Sequence, residues 1–197
     1  NDYIVEGENG GDRIFKNTSP GNENGKKDLL GSFKLNVPGR HNALNATASL
    51  IAGMAAGISF EKCAIGLEKF EGVDRRFHFK GETPNIKVYD DYGHHPTEIR
   101  ATLAAARKAW NGRIVTCFQP HRYSRTQDCY EDFTRCFDDS DVLFLADIYP
   151  AGEAVIEGVN SEKLSNDIRQ QGHRSVEYVG QVKDAASKIA PKLQRGD

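Results

Sequence analysis

A chain of 197 residues with 26 Lys and Arg against 28 Asp and Glu has a formal net charge of −2 and no long run of like charge. That excludes an extended nucleic-acid footprint and a basic membrane-surface patch. No signal-peptide core and no run of about 18 apolar residues is present, so a cytoplasmic chain with reduced thiols, large enough to bury a real core, is expected.

Residues 1–37 are rich in Gly, Asn and Lys. Strand-like pieces at Tyr3 to Val5, Arg13 to Lys16 and Leu30 to Val37 flank a turn-prone stretch from Ser19 to Lys27, which predicts an antiparallel meander. Leu44, Ala48, Ile51, Ala55 and Ile58 then mark one helix face, and Phe60, Cys63, Ala64, Leu67 and Phe70 a second, capped by Ser59 and closed by Gly72.

From Val73 the texture changes. Strands are predicted at Phe77 to Lys80, Ile86 to Asp90, Arg113 to Phe118, Val142 to Ala146 and Val176 to Val179. Between them lie helices from about Thr97 (face Ile99, Leu103, Ala106, Trp110), around Asp128 to Phe137, and from Ser161 to Gln171, the last ended by Gly172. A final helix carries Val182, Ala186, Ile189 and Leu193. This alternation predicts an α/β, Rossmann-like fold with a mostly parallel, doubly wound sheet, and the apolar runs at 114–118 and 142–146 suit strands covered on both faces. Cys63, Cys117, Cys129 and Cys136 form no C-x-x-C pair; Cys63 and Cys117 read as small core residues.

No G-x-G-x-x-G follows a strand, and Gly21-Asn22-Glu23-Asn24-Gly25-Lys26-Lys27 has the wrong spacing for a P-loop. The chain opens without Met and stops at Arg195-Gly196-Asp197, a predicted turn, where another strand is expected; a piece of a longer protein is the reading.

Three polar clusters fall at junctions of predicted elements. In the first, Asn42 and Asn45 lie one helical turn apart beside His41, and could read a base edge or, for Asn42, simply cap the helix. In the second, Asp90, Asp91, Tyr92, His94 and His95 follow a strand, where carboxylates can accept from ribose hydroxyls. Neighbouring histidines in extended chain point opposite ways and no H-E-x-x-H spacing exists, so a zinc site is not expected. The third, Phe118 to Thr126, holds His121, Arg122 and Arg125 at a strand end; a solvated basic loop is one reading, and an anionic ligand is favoured on the expectation that the segment shares a sheet with Asp90 and Asp91. Arg75 and Arg76 lie at the domain junction, and Asp147 to Glu153 leaves another strand end.

In this order, Val37 to Ala46, Phe70 to Val73 with Arg75-Arg76-Phe77, Asp90 to Glu98, Phe118 to Thr126 and Asp147 to Glu153 resemble the Mur ligase family, in its alanine-adding branch. The resemblance implies that residues 1–72 are the carboxyl-terminal part of a central ATP-binding domain. It makes residues 73–197 a carboxyl-terminal Rossmann-like ligase domain lacking its last strand.

It further implies a reaction in which ATP phosphorylates the lactyl carboxylate of UDP-N-acetylmuramate and the amine of L-alanine attacks the acyl phosphate. Mg²⁺ would be held by ligands outside this chain, and the chain alone would be inert. By motif match His41, Asn42 and Asn45 would lie along adenine, Asp91 would hold the ribose, and Arg76 would reach the phosphates. Tyr92, His94, His121, Arg122 and Arg125 would line the pocket for alanine and the muramyl carboxylate. Which histidine, if any, takes the amine's proton stays open. The sister ligase that reattaches recycled murein peptide shares the His-His-Pro loop but departs from His121-Arg122-Tyr123-Ser124-Arg125, and a non-catalytic nucleotide-binding module is the remaining alternative.

Overall fold

Short strand-forming runs separated by glycine and asparagine build a meander, and an apolar helical hairpin covers it; together they form the first of two compact units, Asn1–Val73 and Asp74–Asp197. The computed structural model describes residues 3–8, 11–17, 27–37, 39–83 and 85–197. The near-miss P-loop segment up to Lys26, most of the predicted turn after Ser19, and Pro38 lie outside them.

In the first unit β1 (Tyr3–Glu8), β2 (Gly11–Asn17) and β3 (Lys27–Phe33) pair antiparallel in the order β1-β2-β3, as the meander reading requires. Helices α1 (Arg40–Ala55) and α2 (Phe60–Glu68) follow. Ile14, Phe33, Ala46 and Leu50 form the buried centre, with Phe60, Cys63, Ala64 and Leu67 of α2 packed against it. Ser59 caps α2 by accepting from Lys62 N at 3.4 Å.

The face predicted for α1 is displaced by about one residue. Ala43, Ala46, Thr47 and Leu50 are buried, whereas Leu44 is 50% exposed and Ile58 lies beyond the helix. Alanines flank both candidate stripes, so periodicity could not choose between them.

The second unit opens with β4 (His78–Thr83) and β5 (Ile86–Asp90), an antiparallel hairpin that forms a sheet of its own. Helix α3 (Pro96–Ala109) leads to β6 (Val115–Phe118), then come α4 (Tyr123–Asp128), α5 (Tyr130–Phe133), β7 (Val142–Ala146), α6 (Ser161–Gln170), β8 (Val176–Gly180) and α7 (Val182–Ile189). Strands β6, β7 and β8 pair in parallel in that order, giving the expected α/β architecture. Asp90 is therefore not on the same sheet as the cationic segment, contrary to expectation.

Period-two alternation divides β7 between two layers. Leu143 and Leu145 pack with Ile99 and Leu103 of α3, Phe133, Phe137, Leu164 and Ile168. Phe144 and Ala146 face the other way, onto Val179 and Ala185 with Ile189 of α7. Ala185 rather than the predicted Ala186 is the buried alanine of α7. Cys117 corrects a second expectation: β6 is an edge strand and this cysteine is exposed.

The helix expected around Asp128 to Phe137 begins earlier and is broken at Cys129, so Tyr123 to Thr126 of the supposed loop are helical. Gly172, with φ of 106°, follows the C-cap of α6 as read. The chain turns at Gln194 to Asp197, where Gly196 N donates to Asn85 O at 2.7 Å and Arg113 grips the Asp197 carboxylate through Nε at 2.6 Å and Nη2 at 2.7 Å. That contact ties the hairpin to the sheet and holds the Asp197 carboxyl below its usual range.

Leu145 is fully buried and Val155 is 74% exposed. Leu145→Ala is expected to cost about 2–5 kcal/mol in urea unfolding and Val155→Ala less than about 0.5 kcal/mol; equal losses would contradict the assigned core.

Candidate functional site

The site in the second unit is made by the carboxyl ends of β5, β6 and β7. After β5 the chain turns on Asp91, whose Oδ2 accepts from Phe77 N at 2.8 Å and Oδ1 from Gly93 N at 2.7 Å. Phe77 has φ of 47° and Arg75 φ of 58°, so the carboxylate pins a strained turn. A Cβ on Gly93 would stand 2.6 Å from Asp91 Oδ1, so a larger residue there would have to displace the carboxylate from its hydrogen bond. Arg75 lies over the Tyr92 ring at 4.6 Å, while exposed Arg76 reaches Glu98, at 3.5 Å.

Helix α3 starts with Pro96 at its first position and His95 at its cap. His95 Nδ1 accepts from Thr97 N at 3.3 Å, and Glu98 Oε2 accepts from His94 N at 3.0 Å and His95 N at 3.2 Å. This is a capping box in which a ring nitrogen replaces the usual hydroxyl. The hydrogen bonds from the His94 and His95 amides, with the His94 ring and Arg76 nearby, outweigh burial and hold the Glu98 carboxyl below its usual range.

Past β6 and β7 the parallel pairing continues. Tyr149 N donates to Pro120 O at 2.8 Å, Arg122 N to Tyr149 O at 2.9 Å, and Gln119 Nε2 to Asp147 O at 3.0 Å, with an isolated parallel bridge between His121 and Tyr149. Arg122 adopts φ of 74° and its carbonyl accepts from Thr126 N at 3.1 Å and Thr126 Oγ1 at 2.8 Å, which launches α4. Ala151 and Gly152, with φ of 51° and 86°, turn the second loop so that Glu153 comes back to the start of α4. Glu153 accepts from Ser124 N at 3.0 Å and Ser124 Oγ at 2.7 Å and stands 3.7 Å from Arg122 Nη1.

Four rings form a row: Tyr92 to His94 at 5.2 Å, His94 to His121 at 5.9 Å, and His121 to Tyr149 at 5.5 Å between centroids. Arg125 Nη1 lies 3.2 Å from His121 Nδ1 and 3.1 Å from His121 O. Burial, Arg125, His94 and Arg122 together lower the His121 pKa against a smaller opposing pull from Glu153. Among the described residues Arg122 Nε is buried without a hydrogen-bond partner. The arrangement thus offers a neutral histidine between guanidinium donors, a setting suited to carboxylate or phosphoryl oxygens.

The structure brings Tyr92, His94, His121, Arg122 and Arg125 together, and sets Asp91 and Arg76 at the turn that leads into them. In the first unit His41 and Asn45 are exposed on the opening turns of α1 and Asn42 is half-buried. Asn42 does not cap that helix, because Gly39 is the cap and Arg40 the first residue. Glu98 and Glu153 were missed as organising residues. Glu98 had a signal, standing three residues after a cap, but histidine at that cap disguised it; Glu153 reaches Ser124 across 29 positions and had none. Among the described residues no group of three or more His, Cys, Asp or Glu side chains is arranged to hold a metal ion, and no helix is long and apolar enough to cross a membrane.

The Ser124 hydrogen bonds, first through its amide and then through its hydroxyl, lower the Glu153 carboxyl pKa. This clamp is therefore complete above the ordinary carboxylate range and is lost as pH falls through the depressed value. Glu153→Ala is expected to drop the protection factor of the Ser124 amide at neutral pH to the level the native chain shows only in acid; unchanged protection would contradict the clamp.

Comparison with known proteins then places this geometry. The family described as Mur ligase, glutamate ligase domain, matches residues 75–197. A UDP-N-acetylmuramate–L-alanine ligase of Bdellovibrio bacteriovorus is 54% identical over 198 residues, covering 100% of this chain and 42% of the relative. One from Geotalea uraniireducens is 47% identical over 172 residues, covering 87% and 38%. The crystal structure of a UDP-N-acetylmuramate-alanine ligase from Thermotoga maritima superposes with a TM-score of 0.73 at 27% identity, covering 94% of this chain and 39% of that one. A murein peptide ligase from Psychrobacter arcticus, at TM-score 0.61 and 22% identity over 100% of this chain and 40% of its own, shares the fold. The chain spans about two fifths of the length of the curated relatives it matches, and on the match to residues 75–197 it belongs to the Mur ligase family.

Proposed function

We propose that the complete protein is a cytoplasmic, ATP-dependent ligase that joins L-alanine to the carboxylate of UDP-N-acetylmuramate through an acyl phosphate, a step in peptidoglycan precursor synthesis. The observation that carries this reading is 54% identity along the whole chain to a relative of that name. The ring and guanidinium cluster supports it, since both the carboxylate of alanine and the muramyl acyl phosphate are anions that donor groups must orient.

In this reading Tyr92, His94, His121, Arg122 and Arg125 face alanine and the muramyl carboxylate. Asp91 accepts from the ribose hydroxyls of ATP, a role its chemistry fits because each carboxylate oxygen keeps a lone pair beyond the backbone hydrogen bond it accepts. Arg76, which among the described residues is held by a single 3.5 Å contact, can turn to the phosphates, and His41, Asn42 and Asn45 are assigned to adenine. Bound Mg²⁺ would neutralise charge on the transferring phosphoryl group; no residue of this chain is assigned to it. The residues 1–72 and 73–197 are read as the tail of the ATP-binding domain and the ligase domain.

The complete protein is expected to release ADP only when both UDP-N-acetylmuramate and L-alanine are present. Turnover with a recycled murein peptide but not with L-alanine would favour the sister ligase, and nucleotide binding without turnover the non-catalytic module; either result overturns the proposal. In the same assay Arg122→Ala and Arg125→Ala are each expected to cost roughly 2–5 kcal/mol, about 30- to 5,000-fold in kcat/KM, as for a guanidinium buried against an anion. Unchanged kinetics in both variants would make the segment a solvated surface loop.

A further inference from the structure

Two histidines 5.9 Å apart are held in opposite protonation patterns by partners whose chemistry leaves no choice. The partner of His121 Nδ1 is the Arg125 Nη1 atom at 3.2 Å. A guanidinium nitrogen can only donate, so Nδ1 accepts and the proton of this neutral ring sits on Nε2. The partner of His94 Nδ1 is the Tyr92 carbonyl oxygen at 3.0 Å. A carbonyl can only accept, so Nδ1 carries a proton, and in the neutral form of this ring it is Nε2 that holds the lone pair. Among the described residues neither Nε2 makes a hydrogen bond.

We infer that His94 Nε2 is the acceptor of the proton lost by the attacking amine, and that His121 Nε2–H is a hydrogen-bond donor to a substrate oxygen. The inference rests on the ligase reading above and names the group that reading left open. The ammonium of L-alanine gives one proton to His94 Nε2, and the freed nitrogen lone pair forms the C–N bond at the acyl carbon. The C–O bond to phosphate breaks with its electron pair, and the departing phosphate takes the second nitrogen proton. His94 then returns its proton to solvent.

The surrounding charges favour this division. Facing His94 are Glu98 of α3, whose Oε2 lies 3.8 Å from Nδ1, the Tyr92 carbonyl, and His121. Arg75 lies over the Tyr92 ring, 4.6 Å from its centroid. Facing His121 are Arg125, Arg122, His94 and Glu153. Because burial, with Arg125 and Arg122, lowers the His121 pKa, His94 can take a proton without a second imidazolium beside it, and Glu98 balances the charge it gains.

The test uses the complete protein. Nitrogen NMR of selectively labelled histidine at neutral pH is expected to show His94 protonated on Nδ1 and His121 on Nε2; the reverse pattern at either ring overturns the inference whatever the protein's activity. His94→Gln is expected to lower kcat with L-alanine about 10²- to 10⁴-fold, with the loss shrinking as pH rises toward the amine's own pKa. Hydroxylamine, already neutral at pH 7, should still capture the acyl phosphate as hydroxamate at close to the native rate. His121→Gln keeps an N–H donor, so it should lower kcat/KM without removing the acid limb of the pH profile. An unchanged pH profile in His94→Gln, or equal loss of hydroxamate and alanine product, would make His94 structural. If the native protein forms neither product the ligase reading itself fails, while the NMR result still judges the tautomers.

Discussion

The parallel pairing of β6 with β7 does not stop where the strands end, and the site depends on that continuation. Hydrogen bonds from Tyr149 N to Pro120 O and from Arg122 N to Tyr149 O carry the ladder into the two loops. A left-handed backbone at a residue such as Arg122 costs about 1–3 kcal/mol. Each neutral hydrogen bond returns about 0.5–1.5 kcal/mol net. The two backbone bonds, with Thr126 N and Oγ1 on the Arg122 carbonyl, are enough to offset that strain. Once Arg122 is fixed, α4 must begin at Tyr123, and Arg125 falls one turn beyond His121, in reach of its ring.

The electrostatics follow from that placement rather than from any single charged residue. Burial and the neighbouring guanidinium groups keep His121 neutral, while Glu153 anchors the amino end of α4. On the other side, Glu98 fastens the His94 and His95 amides so that the Tyr92 carbonyl can receive the His94 ring. Two carboxylates that never need to touch substrate thus hold two histidines in complementary roles. The cluster presents guanidinium donors beside two rings whose Nδ1 atoms meet partners of opposite kind.

Much of this was legible because strand ends in α/β sheets bring polar loops together. The cationic segment, the loop after β5 and the loop after β7 were all flagged from their positions after apolar runs, and His94 and His121 do meet. What could not be read had physical causes. Alanines on both sides of α1 hid which stripe is buried. Non-glycine residues in left-handed conformations, Arg122 and Ala151 among them, are set by tertiary hydrogen bonds and leave no local mark, so the early start of α4 was missed. Asp90 ends a strand whose pattern suits either sheet, and only hydrogen-bond pairing assigns it to the hairpin.

The most direct measurement is a crystal structure of the complete protein with UDP-N-acetylmuramate and a non-hydrolysable ATP analogue. The account predicts the lactyl carboxylate within hydrogen-bond distance of His121 Nε2 and the Arg122 or Arg125 guanidinium, with the β6 to β7 loop ladder intact. Substrate density away from this cluster, with His121 and both arginines facing only solvent, would contradict it.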